Sequence, residues 1–245
     1  MTTRKEVIGL ATLWLGDCRD ILPTLPQAAV IATDPPYGIG YVTNYRKVSA
    51  TPAMLANDAT APLWCVDAMA DRLQEGGAIY LCTSLGVMDQ WRAAMLAAGL
   101  TMKTPIIWDK GNWTAGDLEG DFGNQVEPVL FAHKGRHLFR GGRKANLWPV
   151  ARPAPGEHPT PKPVGLMSGM VECSSSPGEL VLDPFMGEGP TGVAAVRAGR
   201  VFIGCEIEPR FFATACRRIE AAQRQGDMFN GAIADPYPAH EGWPA

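Results

Sequence analysis

Long apolar runs are missing from this sequence. Nowhere in its 245 residues is there a stretch near the roughly 18 consecutive apolar residues of a membrane-spanning helix. The start, Met1 to Glu6, is polar and has no secretory core. Cysteine is sparse and scattered, at positions 18, 65, 82, 173, 205 and 216, with no C-x-x-C spacing. That spacing offers neither a disulfide framework nor a zinc ligand set, so reduced thiols, no metal and a cytoplasmic location are expected. Charge of one sign is not in excess either. Twenty-two basic residues against 25 acidic ones leave −3, which by itself does not advertise a polyanionic partner. No internal repeat is visible. With 46% apolar and 19% charged residues, global disorder is excluded and one large folded domain is expected.

The charge is unevenly spread. Lys134 to Gly156 holds six basic residues (Lys134, Arg136, Arg140, Arg143, Lys144 and Arg152) and no acid, whereas Asp109 to Glu127 holds five acids and one lysine. A local basic loop can serve a phosphate backbone on a near-neutral body, and it can equally be a solvated surface.

Short apolar runs alternate with helix-like segments. Strands are expected at Thr12–Leu15, Ala28–Thr33, Ala78–Cys82, Thr104–Trp108, Val126–Ala132, Leu180–Leu182 and Arg200–Cys205. Helices are expected at Cys18–Leu25, at Leu63–Gln74 with Gly76 and Gly77 as a stop, along the Val87, Trp91, Met95 and Ala98 stripe, at Thr191–Ala198, and at Pro209–Ala222. This alternation predicts an α/β fold with a mostly parallel twisted sheet flanked by helices. Residues 1–222 are expected to form the domain, with a basic loop at 134–157 inserted in it and a disordered tail at 223–245.

Two turns stand out. Ile31-Ala-Thr-Asp34-Pro35-Pro36-Tyr37 runs an apolar strand into a carboxylate, two prolines and an aromatic ring. In open α/β sheets ligands bind beyond the carboxyl ends of strands, where this turn must lie. Asp34 and the Pro35 carbonyl can accept the two N–H bonds of an amino group on a planar ring, and Tyr37 can stack on that ring. A proline-stiffened turn with a capping Asp is the plainer reading of these residues. The second turn, Asp183-Pro184-Phe185-Met186-Gly187-Glu188-Gly189, opens a helix, and Glu206 ends the next strand, where nucleotide folds hold ribose hydroxyls. Glu188 and Asp183 would repel pyrophosphate, so a cationic nucleoside suits the turn better than a dinucleotide.

Four motifs in order resemble the DNA amino-methyltransferases, in the permuted group whose Asp-Pro-Pro-Tyr precedes the cofactor turn. They are Leu15-Gly-Asp17-Cys18, Asp34–Tyr37, His158-Pro-Thr160-Pro-Lys162-Pro163, and Asp183–Gly189 with Glu206. The resemblance covers the chain to about Ala222. It implies a Rossmann-like methyltransferase that uses S-adenosyl-L-methionine on double-stranded DNA. Asp34, Pro35, Pro36 and Tyr37 would be catalytic. Asp17, Cys18, Asp34, His158, Thr160, Lys162, Asp183, Pro184, Phe185, Gly187, Gly189 and Glu206 would bind the cofactor.

Asp at position 34 implies adenine-N6 as the target. Cytosine-N4 methylation and a catalytically silent DNA-binding relative are the alternatives. Arg46, Lys47, Arg136, Arg140, Arg143 and Lys144 are the expected DNA contacts, and the shortness of the basic loop leaves a role for a homodimer. The sequence departs from the family at Glu188, which would pair with the cofactor ammonium or face solvent, and at Pro190. Gln225-Gly-Asp227-Met228-Phe229 resembles the short peptide that binds the bacterial sliding clamp.

Overall fold

Sheet polarity decides where chemistry can sit in this chain. The computed structural model describes residues 3–37, 61–114, 119–153 and 162–228. Its strands are β1 (Arg4–Ile8), β2 (Ala11–Leu15), β3 (Ala28–Thr33), β4 (Leu73–Cys82), β5 (Thr101–Met102), β6 (Ile106–Thr114), β7 (Asn124–His133), β8 (Leu147–Pro149), β9 (Leu180–Asp183) and β10 (Val201–Glu206). They form one sheet in the order β1-β2-β10-β9-β3-β4-β7-β6-β8, and β5 pairs with β7. The central run β2-β10-β9-β3-β4 is parallel, whereas β1 and β7 flank it antiparallel. The sheet is therefore mixed, with the expected parallel core.

Helices α1 (Cys18–Ile21), α2 (Cys65–Asp71) and α3 (Met88–Ala97) cover one face, and α4 (Val164–Ser174), α5 (Pro190–Arg197) and α6 (Pro209–Met228) cover the other. β3 shows why its sequence reads as a continuous apolar run. Val30 and Ala32 join the core under α4 and α5, Ile31 joins the core under α2 and α3, and all six residues are buried.

Several expectations shift. The helix expected at Leu63–Gln74 is shorter, because Leu73 already pairs with Ala28 as β4 begins. Gly76, at φ +78°, donates its N–H to the Lys134 carbonyl and serves the strand rather than a helix stop. α4 carries no polar stripe to reveal it, since seven of its residues are buried. Its Gly169 is required because the Trp148 ring lies 2.6 Å from where a Cβ would stand. The basic segment contains β8, paired in parallel with β6. α6 runs on to Met228, so the first residues of the expected tail are helical, and Arg197 donates to Gln225 at 3.2 Å. Of the peptide expected to bind a clamp, Gln225 to Met228 thus lies in α6, and Phe229 is outside the described residues.

Candidate active site

Because β2, β10, β9 and β3 are parallel neighbours, the acids at their carboxyl ends share one edge of the sheet. Asp17, Glu206, Asp183 and Asp34 follow one another in that order across it. The strand order reverses between β9 and β3, which is the crevice where open α/β sheets bind ligands.

Asp183 is the tie between the two turns. Its Oδ1 accepts from Thr33 Oγ1 at 2.7 Å and from the Phe185 N–H at 3.1 Å, and its Oδ2 accepts from Thr191 Oγ1 at 2.7 Å. Burial pushes its carboxyl up to about 6 against those bonds. Both oxygens are committed, so Asp183 organises the turn instead of crowding it with free charge. Pro184 is buried, and Phe185 packs against the core beneath α1 and α2. Gly189, at φ +75°, caps α5, and a Cβ there would stand 3.0 Å from that of Ala215. Glu188 is buried beside α6, where its carbonyl accepts from Arg218 at 2.9 Å and its carboxylate pairs with Arg218 at 3.5 Å. That partner is neither of the two expected for Glu188.

Glu206 accepts from the Glu208 N–H at 2.7 Å. Burial pushes it up to about 7, while N–H bonds from Glu208, Ile207 and Gly187 pull the other way. Its carbonyl accepts from Gly16 at 2.8 Å, which holds the Gly16-Asp17 turn beside it. Asp17 caps α1 through the Arg19 N–H, and the Arg19 guanidinium holds its carboxyl below the usual carboxylate range. Cys18 is buried, and burial pushes its thiol up to about 12, so it stays neutral at physiological pH.

At the end of β3, Asp34 is engaged on both oxygens. Tyr37 Oη donates to Oδ1 at 2.8 Å, and Lys162 Nζ meets Oδ2 at 2.9 Å. The same ammonium lies 5.2 Å from the Tyr37 ring centroid and 3.4 Å from Glu127 Oε2. Glu127, on β7, pairs through Oε1 with Lys110 Nζ of β6 at 3.2 Å. Burial and then Asp34 raise the Tyr37 phenol well above its ordinary value, so it remains a donor. Burial works against the Lys162 charge, yet Asp34 first, with Glu127 further back, holds its pKa well above the ordinary lysine value.

The structure thus gathers Asp17, Asp34, Pro35, Pro36, Tyr37, Lys162, the Asp183–Gly189 turn and Glu206 along one edge. Arg136 and Arg140 are not among them. They line a cleft of about 170 Å³ with Ala29, Gln74 and Glu179, at the amino ends of β3, β4 and β9. Asp34 follows Ala29 by five residue steps along β3 and its end, or about 16 Å of strand. The physical reason is that β7 runs antiparallel to β4 and delivers the following segment to the far edge. Arg143 and Lys144 are exposed on the stretch leading to β8. Arg46, Lys47, His158 and Thr160 lie outside the described residues. Sequence reasoning missed Thr33, Thr191, Glu127 and Lys110. A threonine at the tip of a fully apolar strand was the available signal for Thr33.

A mixed sheet between two helical layers, with acidic strand ends around a glycine turn, defines the S-adenosylmethionine-dependent methyltransferase fold. The solved M1.HpyAVI–SAM complex shares it with a TM-score of 0.69 and 23% identity over 85% of this chain and 99% of that one. The cytosine-N4-specific PvuII DNA methyltransferase shares it with a TM-score of 0.69 and 16% identity, over 89% and 91%. The family model described as DNA methylase matches residues 138–217. DNA adenine methyltransferase YhdJ of Escherichia coli K12 is 28% identical over 253 aligned positions, 86% of this chain and 83% of that protein. The chain is thus similar to DNA methyltransferases, both adenine-directed and cytosine-N4-directed.

Proposed function

We propose that this protein methylates the N6 amino group of adenine in double-stranded DNA, with S-adenosyl-L-methionine as donor. The observation that carries the reading is the Asp34-Pro35-Pro36-Tyr37 turn at the crevice, tied through Thr33 and Asp183 to the glycine turn. The donor set suits the cofactor: Glu206 offers an acceptor for ribose hydroxyls, and the Gly187–Gly189 turn keeps side chains clear of the backbone. When bound, the cofactor supplies an electrophilic methyl group on a sulfonium.

The chain's own residues do the rest. The adenine amine is a weak nucleophile because its lone pair is delocalised into the ring. Asp34 Oδ2 and the Pro35 carbonyl accept its two N–H bonds and orient the nitrogen for in-line transfer. The carboxylate also stabilises the positive charge that grows on that nitrogen, which is acidic once methylated and gives up one proton to water to leave the neutral product. The base must leave the duplex for this, and Tyr37 stacks on it.

The test is transfer of labelled methyl from S-adenosylmethionine to unmethylated DNA, with the modified nucleoside identified after digestion. N6-methyladenine is the expected product. N4-methylcytosine would replace the adenine reading with the cytosine one, and labelled cofactor bound without transfer would point to a binding role.

A further inference from the structure

Glu127 lies behind the catalytic carboxylate, and sequence reasoning gave it no part in the site. Its Oε1 is held by Lys110, whose side chain is itself buried. Its Oε2 is buried and has no aligned hydrogen-bond donor among the described residues, although the Lys162 ammonium is 3.4 Å away. That ammonium rests at 2.9 Å on Asp34 Oδ2, while Tyr37 occupies Oδ1. A target amine must therefore compete with Lys162 for Asp34. The competition sharpens as the reaction proceeds, because the nitrogen becomes positive next to a fixed positive charge.

We propose that Glu127 is a positioning residue: it takes up the Lys162 ammonium when Asp34 engages the target amino group. This rests on Asp34 being the acceptor of that amine. The shift requires only side-chain torsions, since Lys162 already stands between the two carboxylates at 2.9 and 3.4 Å. Lys110 fixes the receiving carboxylate from its other side. Lys162 and Lys110 outweigh the burial that would neutralise Glu127 and keep its carboxyl below the ordinary glutamate value. The four charges Asp34, Lys162, Glu127 and Lys110 alternate in sign, so the handover leaves the group neutral.

The experiment combines single-turnover methyl transfer, cofactor affinity by calorimetry, and NMR titration of the Lys162 side-chain nitrogen, assigned by its loss in Lys162→Met. Glu127→Gln is expected to slow the transfer step about 10-fold or more, as for loss of a transition-state contact, with cofactor affinity within about twofold. Glu127→Asp, which keeps the charge, should recover part of the rate. Because Glu127 acts through Lys162, adding Glu127→Gln to Lys162→Met should cost less than about twofold further. The Lys162 nitrogen should lose its proton at lower pH in Glu127→Gln than in the wild type. A wild-type transfer rate in Glu127→Gln, or full additivity with Lys162→Met, overturns the proposal. If the wild type transfers no methyl to DNA, the functional reading fails instead. An unchanged Lys162 titration then overturns the link between the two side chains on its own.

Discussion

Thr33 and Asp183 are 150 residues apart in the chain and 2.7 Å apart in the fold. Through that bond the last residue of β3 is fastened to the last residue of β9, and Thr191 fastens the start of α5 to the same carboxylate. One buried acid therefore sets the spacing between the Asp34–Tyr37 turn and the glycine turn. Thr33→Val should leave Asp183 short of a donor and cost about 1–3 kcal/mol of stability. Urea unfolding would measure it, and an unchanged midpoint would show the bond to be dispensable.

Asp34→Ala should lower turnover by ~10³-fold or more, on the scale of removing a key transition-state contact. Cofactor binding should survive, because Asp34 is separate from the Glu206 end of the site. Rapid-quench kinetics alongside equilibrium binding would check both halves, and a mutant that turns over normally would remove Asp34 from the mechanism.

Glu206 gives the site a pH dependence with a definite sign. Its carboxyl, ordinarily near 4.5, is pushed up to about 7 by burial. Ionised Glu206 is the better acceptor for ribose hydroxyls, so cofactor affinity should rise as pH climbs through about 7. Stability runs the other way. The folded-state value lies above the unfolded one, so the contribution present below the ordinary value is lost as pH rises through the folded one. Glu206→Gln should flatten the affinity profile and gain thermal stability relative to the wild type at alkaline pH. Calorimetry and melting curves at several pH values would read the two effects.

Gly192 sits where α5 meets α6. A Cβ there would stand 2.4 Å from Ile219 Cδ1 and 2.7 Å from Phe202 Cε1, both in fully buried side chains. Gly192→Ala should therefore destabilise by about 1–3 kcal/mol through overpacking. A melting temperature equal to that of the wild type would mean that Ile219 has room to swing away.

Arg136 and Arg140 provide a test of where DNA lies. They line the far edge of the sheet, so Arg136→Ala and Arg140→Ala should leave the salt dependence of DNA affinity unchanged. A slope reduced by about one per residue would instead place phosphates at that edge.

The parallel centre of the fold was legible because buried strands read as unbroken apolar runs, as Ala28–Thr33 does, and because α5 and α6 follow sharp turns. α4 was hidden by burial on nearly every side, since a helix without a polar face has no period to detect. β8 was hidden within a segment read as a basic loop. At the site, Asp34, Tyr37, Asp183 and Glu206 were visible as acids or aromatics at strand ends. Glu127 was not, because its partners Lys110 and Lys162 come from β6 and from the approach to α4. That Arg136 and Arg140 lie at the opposite edge from Asp34 was not legible, because local charge carries no information about which end of a sheet a loop reaches.

The pairing of β3 with β9 also has a consequence for synthesis. β3 is apolar from Ala28 to Ala32, and its Val30 and Ile31 pair with Val181 and Leu182. During translation at about 5–20 residues per second, that edge waits on the order of 10–30 s before β9 leaves the ribosome. Until then an unpaired, hydrophobic strand is open to other chains, although β4 can already cover its other side. The nascent chain is thus most in need of a chaperone after β4 has emerged and before β9 arrives.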